Sequence, residues 1–259
     1  MGGSSSRPLT TSLKHCTLWK ADRSPACRAV LMALDAMNID VHEVDVNMDK
    51  EEHKSPEILS MNPLQTLPIL KDRDLIISDS QAITTYLASR YCTEMSKFLL
   101  PPGPSSRALV DQFLHFNSSV LYPQYKAASN PILHGTLRIV DEKTNDEIQC
   151  AYADMERMLA KRAWFSSGNW PSLGDISLAA TVSTLDVLVP IDVSNFPKLS
   201  CWLHRMAEEK FFCTANKKGL SEFKRRIECG NCFNHNESKY PRNSEDRRNN
   251  ISTTEPTTT

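Results

Sequence analysis

Apolar and polar positions along this chain follow two regimes that change near residue 106. Before it, short alternating or β-branched runs are interleaved with helical stretches; after it only helical spacing remains. Cys16-Thr17-Leu18-Trp19 reads as a strand, and Ser24-Pro25 supplies an N-cap with proline at the first helical position. The helix that follows carries Val30, Leu34 and Met37 at i, i+4, i+7, with Leu31 beside them, and Asn38 stops it. Val41 to Val46 alternates as a second strand, which makes a right-handed β-α-β unit with parallel strands. A polar, irregular piece spans Asn47 to Ser60. Thr66 to Leu70 gives a third strand, and the Lys71 to Asp74 turn leads into Leu75-Ile76-Ile77 as an antiparallel fourth. Ser78-Asp79 then cap a helix bearing Ile83, Tyr86 and Leu87.

Beyond the proline-rich connector Leu99 to Ser106, the pattern predicts a helix over Ala108 to Tyr125, which Pro123 ends or kinks. Glu142 to Arg162 sets Ile148, Tyr152, Met155 and Leu159 on one face. Ser172 to Leu188 opens with a capping box, Ser172 with Asp175, and is hydrophobic nearly all round, the mark of a buried central helix. Phe196-Pro197 starts a helix running through Met206, and Leu220 to Ile227 suggests a short last one. The expected organisation is a disordered arm over 1–15, an α/β domain over 16–92, a linker over 93–106, an all-helical domain over 107–229 and a disordered polar tail over 230–259.

One position conflicts with its surroundings. Pro68 lies in a run that reads as strand, where it has no N–H for the ladder. Two resolutions are open: a trans proline on an edge strand, or a cis Leu67-Pro68 peptide at the strand entrance. The second leaves the backbone of Leu67 free to pair with an extended ligand.

Composition narrows the function classes. The chain has 259 residues, 40% hydrophobic and 24% charged, as in soluble globular proteins. A formal charge of −1 provides no field for nucleic acid or an anionic membrane, and no apolar run approaches the roughly 18 residues of a membrane span. Eight cysteines show no disulfide framework and follow no apolar leader, so free thiols and a cytoplasmic location are expected. Met1, Gly2 and Ser6 fit the N-myristoylation pattern, although a Gly/Ser arm explains the same residues. Cys229, Cys232 and His235 form too small a set to predict a metal centre, and no metal is expected.

The chemistry centres on Ser24-Pro25-Ala26-Cys27, which stands where a redox protein of this β-α-β, β-β-α order carries C-x-x-C. A hydroxyl cannot cycle through a disulfide. At a helix N-terminus it can donate to an anion, and the helix dipole favours the same charge. The segments RSPACR, NPLQTLP and DSQAI, in this order and spacing, resemble the glutathione-binding domain of cytosolic glutathione transferases, most closely the insect delta and epsilon classes, over about residues 16–227. The resemblance implies an α/β, thioredoxin-like N-terminal domain followed by an all-α domain. It makes Ser24 the catalytic residue and puts His53, Gln65, Thr66, Leu67, Pro68, Asp79, Ser80 and Gln81 on glutathione-contacting positions. It further implies a homodimer, detoxification-type conjugation to hydrophobic electrophiles, and no cofactor beyond glutathione as co-substrate.

By the same resemblance, the co-substrate pocket lies between the domains, walled by His115, Ser119 and Tyr122 at i, i+4, i+7 of the first long helix. The alternative is that Tyr122 is core and His115 solvated. Gln65 and Gln81 depart from the histidine and the arginine or histidine common at these places. They offer neutral rather than charge-assisted hydrogen bonds, so weaker glutathione binding is expected. Two further readings remain open: a carrier of a steroid, lipid or pheromone-like ligand, and a scaffold.

Overall fold

The computed structural model describes residues 10–237 except 92, 93, 95 and 167, with side chains as far as Glu228. Its first half contains β1 (Thr11–Lys20), α1 (Pro25–Met37), β2 (Ile39–Asp45), α2 (Pro56–Met61), β3 (Ile69–Asp72), β4 (Leu75–Ser78) and α3 (Ser80–Arg90). The strands form one sheet in the order β2-β1-β3-β4. β1 and β2 run parallel, while β3 is antiparallel to both β1 and β4. This is the thioredoxin-like arrangement expected.

Four features differ from the sequence reading, three of them boundaries and the fourth a cap, each for a local reason. β1 begins at Thr11 rather than Cys16, so the arm expected to reach residue 15 gives way to strand. Its register against β2 shifts between Leu13 and Thr17, which puts buried Leu13 and Cys16 three residues apart and hides the period of two. Second, the stretch expected to be irregular holds a 3-10 turn, Glu52–Lys54, and α2. Ser55 caps α2 by accepting from the Ile58 N–H, and Pro56 follows it, the same signature as Ser24-Pro25. Third, β3 starts at Ile69, after Pro68 and not before it, so the Leu67 backbone lies outside the ladder. The Leu67-Pro68 peptide is cis. Fourth, α1 ends as expected at Asn38, which adopts φ 56°, but Ser24 makes no side-chain cap to it.

The second half is helical: α4 (Ser96–Leu99), α5 (Pro104–Phe116), α6 (Tyr122–Leu133), α7 (Glu142–Met158), α8 (Leu173–Leu188), α9 (Pro197–Glu208) and α10 (Lys217–Glu237). α5 opens inside the expected linker because Gly103-Pro104 starts it. Pro123 does not end the helix. A π turn over Asn117–Leu121 joins α5 to α6, and the widened turn moves the carbonyl that the proline ring would otherwise strike. α10 outruns both the short helix expected and the start of the tail, since Phe223 and Ile227 pack on Ile132 and anchor it. The side chains of Cys229, Cys232 and His235, and the acylation pattern at Gly2, lie outside the described residues.

α8 is the central helix, buried from Leu173 to Leu185. Its capping box is present, and Asp175 also accepts from the Phe165 N–H at 2.9 Å and from Trp202 Nε1 at 3.1 Å. One carboxylate thereby ties α8 to α9 and to the preceding loop. α1 and α8 pack together across the junction of the two halves, where Arg28, fully buried, donates to Thr184 and Asn216.

Candidate active site

Two helix N-termini and the β3 entrance converge on one cleft. Because β3 pairs only from Ile69 onward, Leu64, Thr66, Leu67 and Pro68 line the cleft as a loop, opposite Ser78, Asp79, Ser80 and Gln81 at the start of α3. Ala26 from the first turn of α1 and Ser118, Tyr122 and Lys126 from the α5–α6 helix complete a space of about 240 Å³. Of the residues expected at the site, Thr66, Leu67, Pro68, Asp79, Ser80, Gln81 and Tyr122 are brought together here.

Ser24 sits at the N-terminus of α1, two residues before Ala26; it is not among the residues that line the cleft, and its hydroxyl is free of capping duty. It lies close to Tyr122 and Cys27. Burial pushes the Cys27 thiol up to about 11, outweighing the hydrogen bonds from the Ala21 N–H and from Ser24. Cys27 therefore stays a neutral thiol at physiological pH. Burial likewise raises Tyr122, which keeps its phenol protonated. The uncapped first turn of α1 thus presents one hydroxyl and a positive dipole end, with a second hydroxyl beside it.

Asp79 caps α3, accepting from the Gln81 and Ala82 N–H groups at 2.9 and 3.0 Å through Oδ1. Its φ is 81°, a conformation that costs a non-glycine residue about 1–3 kcal/mol. Only one oxygen is engaged by the cap, and the carboxylate borders the cleft. Gln81 lines the cleft as well, but its amide faces the helical half: Nε2 and Oε1 lie 2.7 and 2.9 Å from Ser177 Oγ, which also accepts from Asn117.

The remaining expected residues stand apart from this cleft. His53, on the 3-10 turn, holds a buried Nδ1 without a hydrogen-bond partner, and Gln65 adopts φ 54° beside Leu64; neither lines the space. His115 and Ser119 are exposed and off the wall, with the Ser119 hydroxyl donating back to the His115 carbonyl at 2.7 Å. The i, i+4, i+7 spacing assumed an unbroken α-helix, and the π turn rotates that face away. Ser118, Tyr122 and Lys126 take the wall instead, at a spacing of four that the sequence displays. Leu64, 77% exposed, was signalled too: it is a large apolar residue in an otherwise polar turn.

The result is a thioredoxin-like domain with serine where a redox member carries its attacking cysteine, joined to a helical domain that contributes one wall of the cleft. The model of the glutathione S-transferase N-terminal domain matches residues 14–89. Glutathione S-transferase 1 of Manduca sexta is 37% identical over 205 residues, 78% of this chain and 93% of its own length. An epsilon-class glutathione S-transferase from the housefly, Musca domestica, superposes with a TM-score of 0.79 at 31% identity, over 83% of this chain and 98% of that one. A glutathione transferase homologue from Drosophila mojavensis, solved with bound glutathione, gives 0.77 at 32% identity over 83% and 97%. This chain belongs to the glutathione S-transferase family.

Proposed function

We propose that the protein conjugates reduced glutathione to hydrophobic electrophiles through a thiolate stabilised by Ser24. The observation that carries this is the uncapped Ser24 hydroxyl at the head of α1, beside a cleft whose far wall is the Asp79-Ser80 N-terminus of α3. Asp79 receives the γ-glutamyl ammonium and Ser80 its carboxylate, and the Leu67 backbone pairs with the cysteinyl unit; His53 and Gln65 do not line the cleft. The Gln81 side chain acts as a strut to Ser177 and meets the ligand through its backbone. Glutathione supplies the reacting sulfur itself, so no resident cofactor or metal takes part. The thiol proton passes to solvent, the sulfur lone pair forms the new S–C bond beside Tyr122, and the leaving group departs with its electron pair.

The relatives are glutathione transferases by name, which favours conjugation to glutathione, and the carrier and scaffold readings have no comparable support. We expect a cytoplasmic, detoxifying homodimer; the thiols of Cys150 and Cys201 are free, and among the described residues no helix is long and apolar enough to cross a membrane. Sedimentation measures the dimer.

The test of the mechanism is Ser24→Ala. Its hydroxyl does not cap α1, so folding should be intact, whereas loss of a hydrogen bond to a charged sulfur costs about 1.5–3 kcal/mol, a fall in conjugation of roughly ten-fold to a few hundred-fold. Thiolate absorbance of bound glutathione should titrate at higher pH than in the parent. Superimposable titration curves would remove Ser24 from the chemistry and return the carrier reading.

A further inference from the structure

Away from the cleft, where β3 ends at Asp72, four potential metal ligands meet. Antiparallel pairing puts Cys16 directly opposite Asp72. The register irregularity between Leu13 and Thr17 lies over the same stretch of β1, and it turns His15 toward this face beside Cys16, where a regular strand would send the two to opposite sides. His15 Nε2, Cys16 Sγ and an Asp72 carboxylate oxygen lie within 4.8 Å of one another. Tyr91, following α3, brings its hydroxyl to 3.0 Å from His15 Nε2 and 3.7 Å from Cys16 Sγ.

The cluster is hydrogen-bonded, and its spacing also suits a coordination shell. A tetrahedral ion with bonds of about 2.0–2.3 Å sets its ligand atoms roughly 3.3–3.6 Å apart. His15 Nε2 and Asp72 Oδ1 are separated by 3.4 Å, close to one such edge, and the two Tyr91 distances fall just outside that range, one on either side. Asp72 is 4% exposed; its Oδ2 accepts from Tyr86 at 2.7 Å and from Tyr91, while Oδ1 is buried without a hydrogen-bond partner. That oxygen points into the cluster, 3.4 Å from His15 Nε2 and beside Cys16, and a cation held there would satisfy it.

We propose that His15 Nε2, Cys16 Sγ and Asp72 Oδ1, with the Tyr91 hydroxyl as fourth ligand, form a zinc-class metal site that rivets β1 to β3 and to the end of α3. Thiolate, imidazole and carboxylate together select a borderline ion such as Zn²⁺ over Mg²⁺ or Ca²⁺. Binding releases the Cys16 thiol proton to solvent, while Tyr91 keeps its proton on Asp72 Oδ2 and ligates through a lone pair. The half-exposed His15 gives the ion its entry from solvent. The site is structural and lies apart from Ser24, so conjugation does not depend on it.

The test uses the full chain, stripped with a chelator and titrated with Co²⁺, then with Zn²⁺ in competition. Expected are one equivalent of Co²⁺ with thiolate charge-transfer and tetrahedral visible bands, displacement by Zn²⁺, and a rise in Tm with Zn²⁺. Cys16→Ser should abolish the charge-transfer band. Because buried Cys16 could matter for folding, His15→Ala, at a surface position, serves as the second variant and should weaken binding by more than about ten-fold with the chain still folded. A Cys229→Ser/Cys232→Ser double variant should bind as the parent does. No stoichiometric Co²⁺, bands that persist in both His15→Ala and Cys16→Ser, or bands lost only in the tail variant would each overturn the proposal.

Discussion

Asp79 serves two demands that pull against each other. As an N-cap it is replaceable by glycine at a cost of a few tenths of a kcal/mol, and glycine would also relieve the strain of φ 81°, worth about 1–3 kcal/mol. Against this, glycine loses about 0.5–1 kcal/mol of extra chain entropy. Asp79→Gly is therefore expected to leave the unfolding free energy in urea unchanged or to raise it by up to about 2 kcal/mol. Glutathione affinity by calorimetry should meanwhile drop by ten-fold or more, as a carboxylate bound to an ammonium is removed. A parallel loss of stability with unchanged affinity would reduce Asp79 to a cap. The sequence displayed the chemistry of Asp79 and of Ser24, since both stand before a helix. It could not display that Asp79 caps while Ser24 does not, because the sequence signature of a cap says nothing of where the oxygen turns.

At the scale of elements, the sequence showed the sheet and the long helices because their apolar periods are regular, and failed where the period breaks. The π turn after α5 moved Ser118 onto the cleft wall in place of Ser119 and took His115 off it. The irregularity in β1 concealed five residues of strand. α10 was half legible: Phe223 and Ile227 were visible, but not that the helix presses on the loop leading to Ser24. That contact is made by Gly219, where a Cβ would lie 1.9 Å from the Asp22 carbonyl oxygen and 2.8 Å from Arg28 Cδ. Backbone cannot yield as a side-chain tip can, so Gly219→Ala must lift the helix or shift the loop. Overpacking of this kind costs about 1–3 kcal/mol or more. Denaturant unfolding should show that loss, and conjugation should fall with it because Ser24 follows the displaced loop. Parent-like stability would mean that α10 is held elsewhere.

For the whole molecule, the two halves are joined by charge as well as by the α1–α8 core. Lys218 reaches Asp22 at 2.8 Å, Arg226 reaches Asp49 at 3.4 Å, and Arg23 binds the same Asp49 with two hydrogen bonds, so α10 is strapped across the loops that flank the head of α1. Burial works against the charge of Asp22, but Lys20 and Lys218 outweigh it and hold its carboxyl below the usual range. The hydrogen bonds from Arg23 do the same for Asp49, with burial opposing and Arg226 assisting. Both folded values are depressed. Their contribution is therefore present above the unfolded carboxylate value of about 3.9 and lost as pH falls through the lower folded values. Tm should consequently decline steeply below about pH 4. The Asp22→Asn/Asp49→Asn variant should start lower at neutral pH and decline less, so that the two curves converge at the acid end. Asp72, also depressed because the hydrogen bonds from Tyr86 and Tyr91 overcome its burial, titrates in the same window in both proteins and leaves the difference curve untouched. Curves that stay parallel down to pH 2 would show that the strap carries no net electrostatic stability, leaving Gly219 and the Phe223–Ile227 packing to hold the helix.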